Sequence, residues 1–185
     1  MYYESIGKAN TKSTVELAIK AAREKNIQTI VVASSSGDTA RLFKSRDDIN
    51  VICVTYVNGF SEPGKASMPQ EVRDELEGSG IKVLSTTHVL SGAERGISRA
   101  FGGTYPVEIM ANTLRMLGQG VKVCVEVSVM ALDAGLIPYG EPIIAVGGSS
   151  KGADAAVIIT PSHASSIFET KINEIICKPS YCAKK

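Results

Sequence analysis

The sequence predicts an α/β fold: a three-layer α/β/α sandwich built on a mostly parallel, open sheet. Three observations predict it. Short β-branched runs recur at 30–32, 51–57, 81–84, 143–146 and 155–159, with the near-continuous apolar character of strands covered on both faces. Segments between them carry apolar residues three and four apart, as amphipathic helices require. Several strands run straight into small, hydroxylated or glycine-rich turns, the kind of strand end that forms a ligand edge in open α/β sheets.

In chain order, Asn10 or Thr11 is placed to cap a helix over 12–25, with Val15, Ala18, Ile19 and Ala22 on one face. The strand around Ile30, Val31 and Val32 enters the turn Ser34, Ser35, Ser36, Gly37, Asp38 and Thr39, and 39–45 suits a short helix whose charged tail reaches Asp48. That turn has two readings. Ser36 or Asp38 caps the helix and Gly37 makes the bend, or backbone N–H groups and hydroxyls gather at a helix start and hold a phosphate. The density of hydroxyls exceeds what one cap needs. Neither a P-loop nor a Gly-x-Gly-x-x-Gly pattern is present, so the cup implies grip rather than cleavage.

A second strand over 51–57 leads to a polar loop at its carboxyl end, where Phe60 either packs the loop down or covers a planar ligand. Pro69 suits the first position of a helix through Leu76. The third strand, 81–84, ends in Ser85, Thr86, Thr87 and His88. His88 has no acid partner legible in sequence, so a local hydrogen bond or a ligand contact is expected rather than catalysis. Residues 91–106 carry four glycines with weak apolar periodicity and read as a surface loop or one shaped around a ligand. Arg95 and Arg99, four apart, share a face if that stretch is helical.

Pro106 starts a helix with Ile109, Met110, Thr113, Leu114 and Leu117 as a buried stripe. The valines from Val121 to Val129 alternate as in a strand, but the following Met130 to Leu136 reads as a helix ending at Gly135. We take 121–135 as helix throughout, which leaves Glu126 among apolar neighbours and in need of a hydrogen-bonding partner. Strands at 143–146 and 155–159 follow, the first ending in Gly147, Gly148 and Ser149, with Lys151 able to face a phosphate or water. An edge strand over 172–177 and a disordered lysine-terminated end complete the chain.

At 185 residues the chain is read as a single domain. Lys plus Arg number 20 against 19 Asp plus Glu, too little net charge for electrostatic capture of nucleic acid. Cys53 and Cys124 lie in apolar runs, and Cys177 and Cys182 lack zinc spacing, so no metal is expected. No secretory leader and no apolar run of about 18 residues is visible, which predicts a cytoplasmic protein without membrane attachment.

The helix over 14–24, the strand over 29–33, the turn Ser35-Ser36-Gly37-Asp38-Thr39-Ala40 and the strand over 51–55 together resemble the carboxyl-terminal α/β domain of pyruvate kinases. The chain as a whole looks like stand-alone archaeal and bacterial proteins of this pyruvate kinase C-terminal domain-like type. The resemblance implies an open five- or six-stranded sheet with an antiparallel edge, and a phosphate site at Ser35, Ser36, Gly37 and Thr39. No catalytic barrel domain is expected with it, so kinase activity is not carried over. It further implies flavin mononucleotide (FMN) or a similar phosphorylated small molecule as ligand. We expect its ring towards Thr86, Thr87 and His88 and towards Gly147, Gly148 and Ser149. Three roles follow: a flavin or nucleotide-phosphate binding protein, extending to an oxidoreductase; a metabolite-sensing module without chemistry; and, ranked last, a phosphoryl-transfer enzyme. Homo-oligomer formation is left open.

Overall fold

The computed structural model describes residues 1–44 and 48–180. The expected helix end at Ser45, the lysine-terminated end and Cys182 lie outside them. Thirteen helices and strands are named here in chain order: β1 (Tyr2–Tyr3), α1 (Thr11–Glu24), β2 (Thr29–Ala33), α2 (Asp38–Arg41), β3 (Asn50–Thr55), α3 (Gln70–Gly78), β4 (Lys82–Ser85), α4 (Gly92–Phe101), α5 (Pro106–Arg115), α6 (Gln119–Asp133), β5 (Ile143–Gly147), β6 (Ala155–Thr160) and β7 (Lys171–Pro179).

The strands form one open sheet in the order β1-β7-β6-β5-β2-β3-β4. Strands β5, β2, β3 and β4 are mutually parallel, whereas β6 is antiparallel to both β5 and β7. This sheet has seven strands rather than five or six, because β7 takes the end of the chain back along β6 and then pairs with the two-residue β1.

Period-two alternation of the central strands divides the core into two layers. Ile30 and Val32 of β2 and Ile144 and Val146 of β5 pack with Val15, Ala18 and Ile19 of α1 on one face. Val31, Ile52, Ile143 and Ala145 pack with Val121, Cys124 and Val125 of α6 on the other. The sandwich is thus covered on both sides, which is why these strands read as unbroken apolar runs. Residues 121–133 are helical, as the terminal Met-Ala-Leu-Asp pattern indicated against the alternating valines.

Three local expectations change. Residues 92–101 form helix α4 rather than a loop, and none of its residues is buried; its glycines and exposed position hide the helical period. Helix α5 buries only Ala111, and Ile109 and Leu117 of the expected buried stripe are exposed, because α5 packs on α6 rather than on the sheet. Neither Asn10 nor Thr11 caps α1 with its side chain: Asn10 Nδ2 donates to the Ser5 carbonyl, and Thr11 Oγ1 accepts from the Ala153 N–H at 3.1 Å.

The start of α2 is also capped differently. Ser34 Oγ, from the strand end, accepts the N–H groups of Thr39 at 3.2 Å and Ala40 at 3.4 Å, so neither Ser36 nor Asp38 fills that role. Gly37 makes the bend at φ +88°, with its Cα packed so tightly that an added Cβ would lie 2.5 Å from Val72 Cγ1. Helix α6 reaches the sheet through a second close approach. A Cβ on Gly120 would lie 2.6 Å from Ala155 Cβ and 2.7 Å from Asp154 Oδ1, and one on Gly147 would lie 2.5 Å from the Gly120 carbonyl oxygen.

Two stability predictions follow from these contacts. Ser34→Ala leaves two helix-start N–H groups without their acceptor and lowers unfolding free energy by about 1 kcal/mol. Gly120→Ala forces α6 away from β6 and costs about 1–3 kcal/mol. Urea denaturation of the two variants checks both, and a wild-type midpoint for Gly120→Ala would contradict the close approach.

Candidate functional site

The chain crosses from β2 to β3 on one side and returns from β4 to β5 over α4, α5 and α6, so the topology switches direction between β2 and β5. Open α/β sheets leave a crevice beyond the carboxyl ends of their strands at such a point. A cleft of about 1010 Å³ lies there, lined by Ala33 to Ser36 after β2, Val54 to Tyr56 at the end of β3, and Gly148 to Gly152 after β5. The first turns of α1, α4 and α6 contribute Thr11 and Lys12, Arg95, and Gln119 and Lys122.

Most of the sequence-predicted residues meet in this cleft. Ser34, Ser35, Ser36, Asp38, Thr39, His88, Gly148 and Ser149 all line it. Gly37 does not, since it turns against Val72 of α3. Thr86 and Thr87 stand outside the wall, with only His88 of that strand end reaching it. Gly147 also lies outside it, and its missing side chain makes room for α6 rather than for a ligand. At Gly148 a Cβ would strike the Gly152 carbonyl oxygen at 2.1 Å, so this glycine serves the return of its own loop.

The hydroxyls differ in what they already hold. Ser34 Oγ is engaged at the start of α2. No side-chain hydrogen bond is formed by the hydroxyls of Ser35, Ser36 or Thr39 among the described residues. Ser149 Oγ is buried without a partner among the described residues. Its loop is held rigidly, because the fully buried Asp154 accepts the Ser149 N–H at 3.1 Å through one oxygen and the Gly7 N–H at 2.8 Å through the other. A rigid wall with uncommitted donors is what a polar ligand needs. Helix α2 spans only four residues, so its dipole adds little and the hydroxyls and N–H groups of the turn carry the cup.

Charge on the cleft wall is one-sided. Lys8, Lys12, Lys151, Arg95, Arg115 and Lys122 face two acids, Asp38 and Glu126. Asp38 is drawn to Arg41 at 3.2 Å, and Glu126 finds the partner its setting demanded: Oε2 meets Lys122 Nζ at 2.5 Å and Oε1 accepts the Leu90 N–H at 3.0 Å. Burial pushes the Lys122 ammonium below its usual value, Glu126 opposes that shift, and Arg115 and Arg95 reinforce it. Sequence reasoning missed Lys8, Lys12, Arg115, Lys122 and Tyr56. The available signal was Lys12 and Lys122 near the starts of α1 and α6, whose first turns hold no acid, against the usual preference for anionic side chains there.

An aromatic cluster forms another part of the wall. Tyr56 and Phe60 stack with centroids 4.1 Å apart, and His88 sits 5.5 Å from the first ring and 5.3 Å from the second. His88 Nε2 accepts the Val57 N–H at 3.4 Å, an acceptor role that calls for the neutral imidazole. Among the described residues thiols take no part: burial pushes Cys53 up to about 12 and raises Cys124 and Cys177 as well, so these groups stay protonated at neutral pH.

Burial also lowers the His88 pKa below the ordinary 6.5, with Glu126 opposing and Lys122 and Arg95 adding to the shift. The unfolded imidazole therefore binds its proton more tightly than the folded one, and stability present above 6.5 is lost as pH falls below it. In denaturant titrations from about pH 7.5 to about pH 5, wild type loses more stability than His88→Gln. Equal slopes for the two proteins would rule out the buried neutral ring.

The profile of the family described as "Pyruvate kinase, alpha/beta domain" matches residues 12–159. Two structures of Cryptosporidium parvum pyruvate kinase each align at 19% identity, with TM-scores of 0.40 and 0.39 over 75% and 77% of this chain. The aligned region spans 20% and 22% of those kinases' own length. A Podospora anserina methyltransferase with bound SAH aligns at 16% identity and a TM-score of 0.32, over 72% of this chain and 51% of its own. With most of its length matched by the one profile, the chain belongs to the pyruvate kinase alpha/beta domain family.

Proposed function

We propose that this protein binds a phosphorylated small molecule with a planar ring, and that FMN is the first ligand to test. The observation that carries the reading is Ser149 Oγ, buried without a partner among the described residues, on a loop that lines the same cleft as Ser35, Ser36 and Thr39, whose hydroxyls form no hydrogen bond among those residues. A buried hydroxyl with nothing to bond costs free energy that a bound polar group recovers. Ser35, Ser36 and Thr39, with the N–H groups of their turn, suit a phosphomonoester. The half-exposed Tyr56 and Phe60 offer an aromatic surface to a ring, and the cleft volume accommodates a nucleotide-sized molecule. FMN, when bound, would supply hydride-transfer chemistry. The chain's own residues would hold the phosphate, cover the ring and neutralise its charge.

A visible absorption spectrum of freshly purified protein, with mass spectrometry of what acid releases, tests the ligand directly. A flavin band supports FMN. A colourless protein that takes up no FMN on calorimetric titration overturns FMN as the ligand. Ser36→Ala combined with Thr39→Val weakens binding of the phosphorylated ligand by about 1–3 kcal/mol without unfolding the protein. Unchanged affinity in that double variant would sink the turn as the phosphate site. Oxidation of a nicotinamide donor by the loaded protein separates an oxidoreductase from a sensor that binds without turnover.

A further inference from the structure

Helix α6 carries a buried amine into the cleft wall. Lys122 and Glu126, one helical turn apart, form an ion pair whose side chains are 7% and 8% exposed, and both line the cleft beside Val123, Val127 and Met130 of the same helix. Lys20, Lys25, Lys44 and Lys65 also meet carboxylates, but on the surface, with side chains at least 32% exposed. A lysine is almost never fully buried without a specific partner. A buried pair of this kind is often no more stable than apolar residues of the same size, so fold stability alone does not account for it.

The surroundings of this amine are those of a nucleophile. Burial disfavours its charged form, and Arg115 and Arg95 add to that effect against the pull of Glu126. Desolvation and neighbouring cations are the two means by which a lysine becomes reactive at neutral pH. A proton acceptor is already in place, since Nζ donates to Glu126 Oε2 at 2.5 Å. The other oxygen of that carboxylate accepts the Leu90 N–H at 3.0 Å, which holds it against Lys122. Nucleophile, base and a group that orients the base thus stand in one line of hydrogen bonds, the arrangement that activates a nucleophile.

We propose that Lys122 captures a phosphorylated aldehyde or ketone as an imine, with Glu126 moving the protons. The inference rests on reading the cleft as the site of a phosphorylated small molecule and narrows that ligand to a carbonyl compound; it does not need the flavin. The ammonium passes one proton to Glu126, and the freed lone pair attacks the carbonyl carbon. The C=O π pair moves to oxygen, which takes the proton from Glu126. A second proton then travels from nitrogen through Glu126 to the new hydroxyl, the C–O bond breaks as water leaves, and the nitrogen lone pair closes the C=N bond. The sum is ammonium plus carbonyl giving protonated imine plus water, with no change of oxidation state. Nitrogen keeps its positive charge, so Glu126 remains paired at the end as at the start.

Pyridoxal 5′-phosphate is the probe, because it joins an aldehyde to a phosphomonoester on a planar ring. It is added below one equivalent per chain to wild type, Lys122→Met/Glu126→Gln and Ser36→Ala/Thr39→Val, reduced with cyanoborohydride, and the modified lysine is located by peptide mass spectrometry. Met and Gln replace the pair so that no charge is left buried alone and the Leu90 N–H keeps an acceptor; unchanged circular dichroism confirms the fold, and the wild-type map stands without that variant. The expected result is label on Lys122 in wild type roughly tenfold or more above any other lysine, with a similar drop in Ser36→Ala/Thr39→Val or with phosphate-free pyridoxal. Before reduction, the visible imine band of wild type is lost in Lys122→Met/Glu126→Gln. Label on Lys122 that ignores both the turn variant and the missing phosphate supports the nucleophile and overturns the turn as the phosphate site. Probe that binds on calorimetric titration yet leaves Lys122 unmodified overturns the nucleophile and leaves the cleft reading standing. No label, or label spread over surface lysines with Lys122 no more reactive than they are, overturns the proposal.

Discussion

The cleft depends on how closely α6 lies on the sheet. Gly120 and Gly147 meet where a Cβ on Gly147 would strike the Gly120 carbonyl and one on Gly120 would strike the Ala155 and Asp154 side chains, and that contact fixes the first turns of α6 against the ends of β5 and β6. From there Gln119, Lys122 and Glu126 follow at helical spacing along the cleft wall. Ser128 Oγ, two residues further on, donates to the Cys124 carbonyl at 2.7 Å, so the buried polar groups of this helix are bonded even though its apolar face dominates. A helix one methyl group further out would leave Val121, Cys124 and Val125 short of the sheet, and interiors packed at crystal-like density resist that loss.

Asp154 makes the other half of the frame. Its carboxylate is completely buried and bridges the N–H groups of Gly7 and Ser149. The arm before α1 and the loop after β5 are thereby tied to one residue at the edge of β6. This places Lys8, Lys12 and Lys151 beside the same opening. The β5–β6 loop is therefore held as a wall, and its Ser149 hydroxyl is left without a partner among the described residues.

Much of the fold was legible because both faces of the sheet are covered. The runs at Ile30, Val51 and Ile143 could belong only to buried strands or buried helices, and the glycine- and serine-rich turns after them decided for strands. Residues 121–133 were legible for a different reason: the strand pattern of the valines conflicted with the helical sequence that follows, and a buried helix with valine at alternate positions satisfies both. Strand order, α4 and the partnership of β1 with β7 were not legible, since each depends on contacts between distant segments. At the cleft, the serine turn announced itself by composition. Of the cations only Arg95 and Lys151 stood out, because Lys12, Arg115 and Lys122 sit on amphipathic helices where a charged residue ordinarily means a solvated face.

Those cations show why net charge misleads as a guide to ligands. The whole chain carries a formal charge of +1, yet six basic residues and two acidic ones line the cleft. The compensating acids lie elsewhere, many in surface ion pairs such as Arg23 with Asp48 and Arg41 and Lys44 with Glu75. Surface pairs are screened by water and salt and contribute little, whereas charge inside a concave wall of low dielectric acts over a short distance on whatever enters. Positive potential is therefore concentrated in a cleft of small-molecule size, although the chain as a whole is close to neutral. Under the proposed function, that division suits recognition of a compact anion by contact.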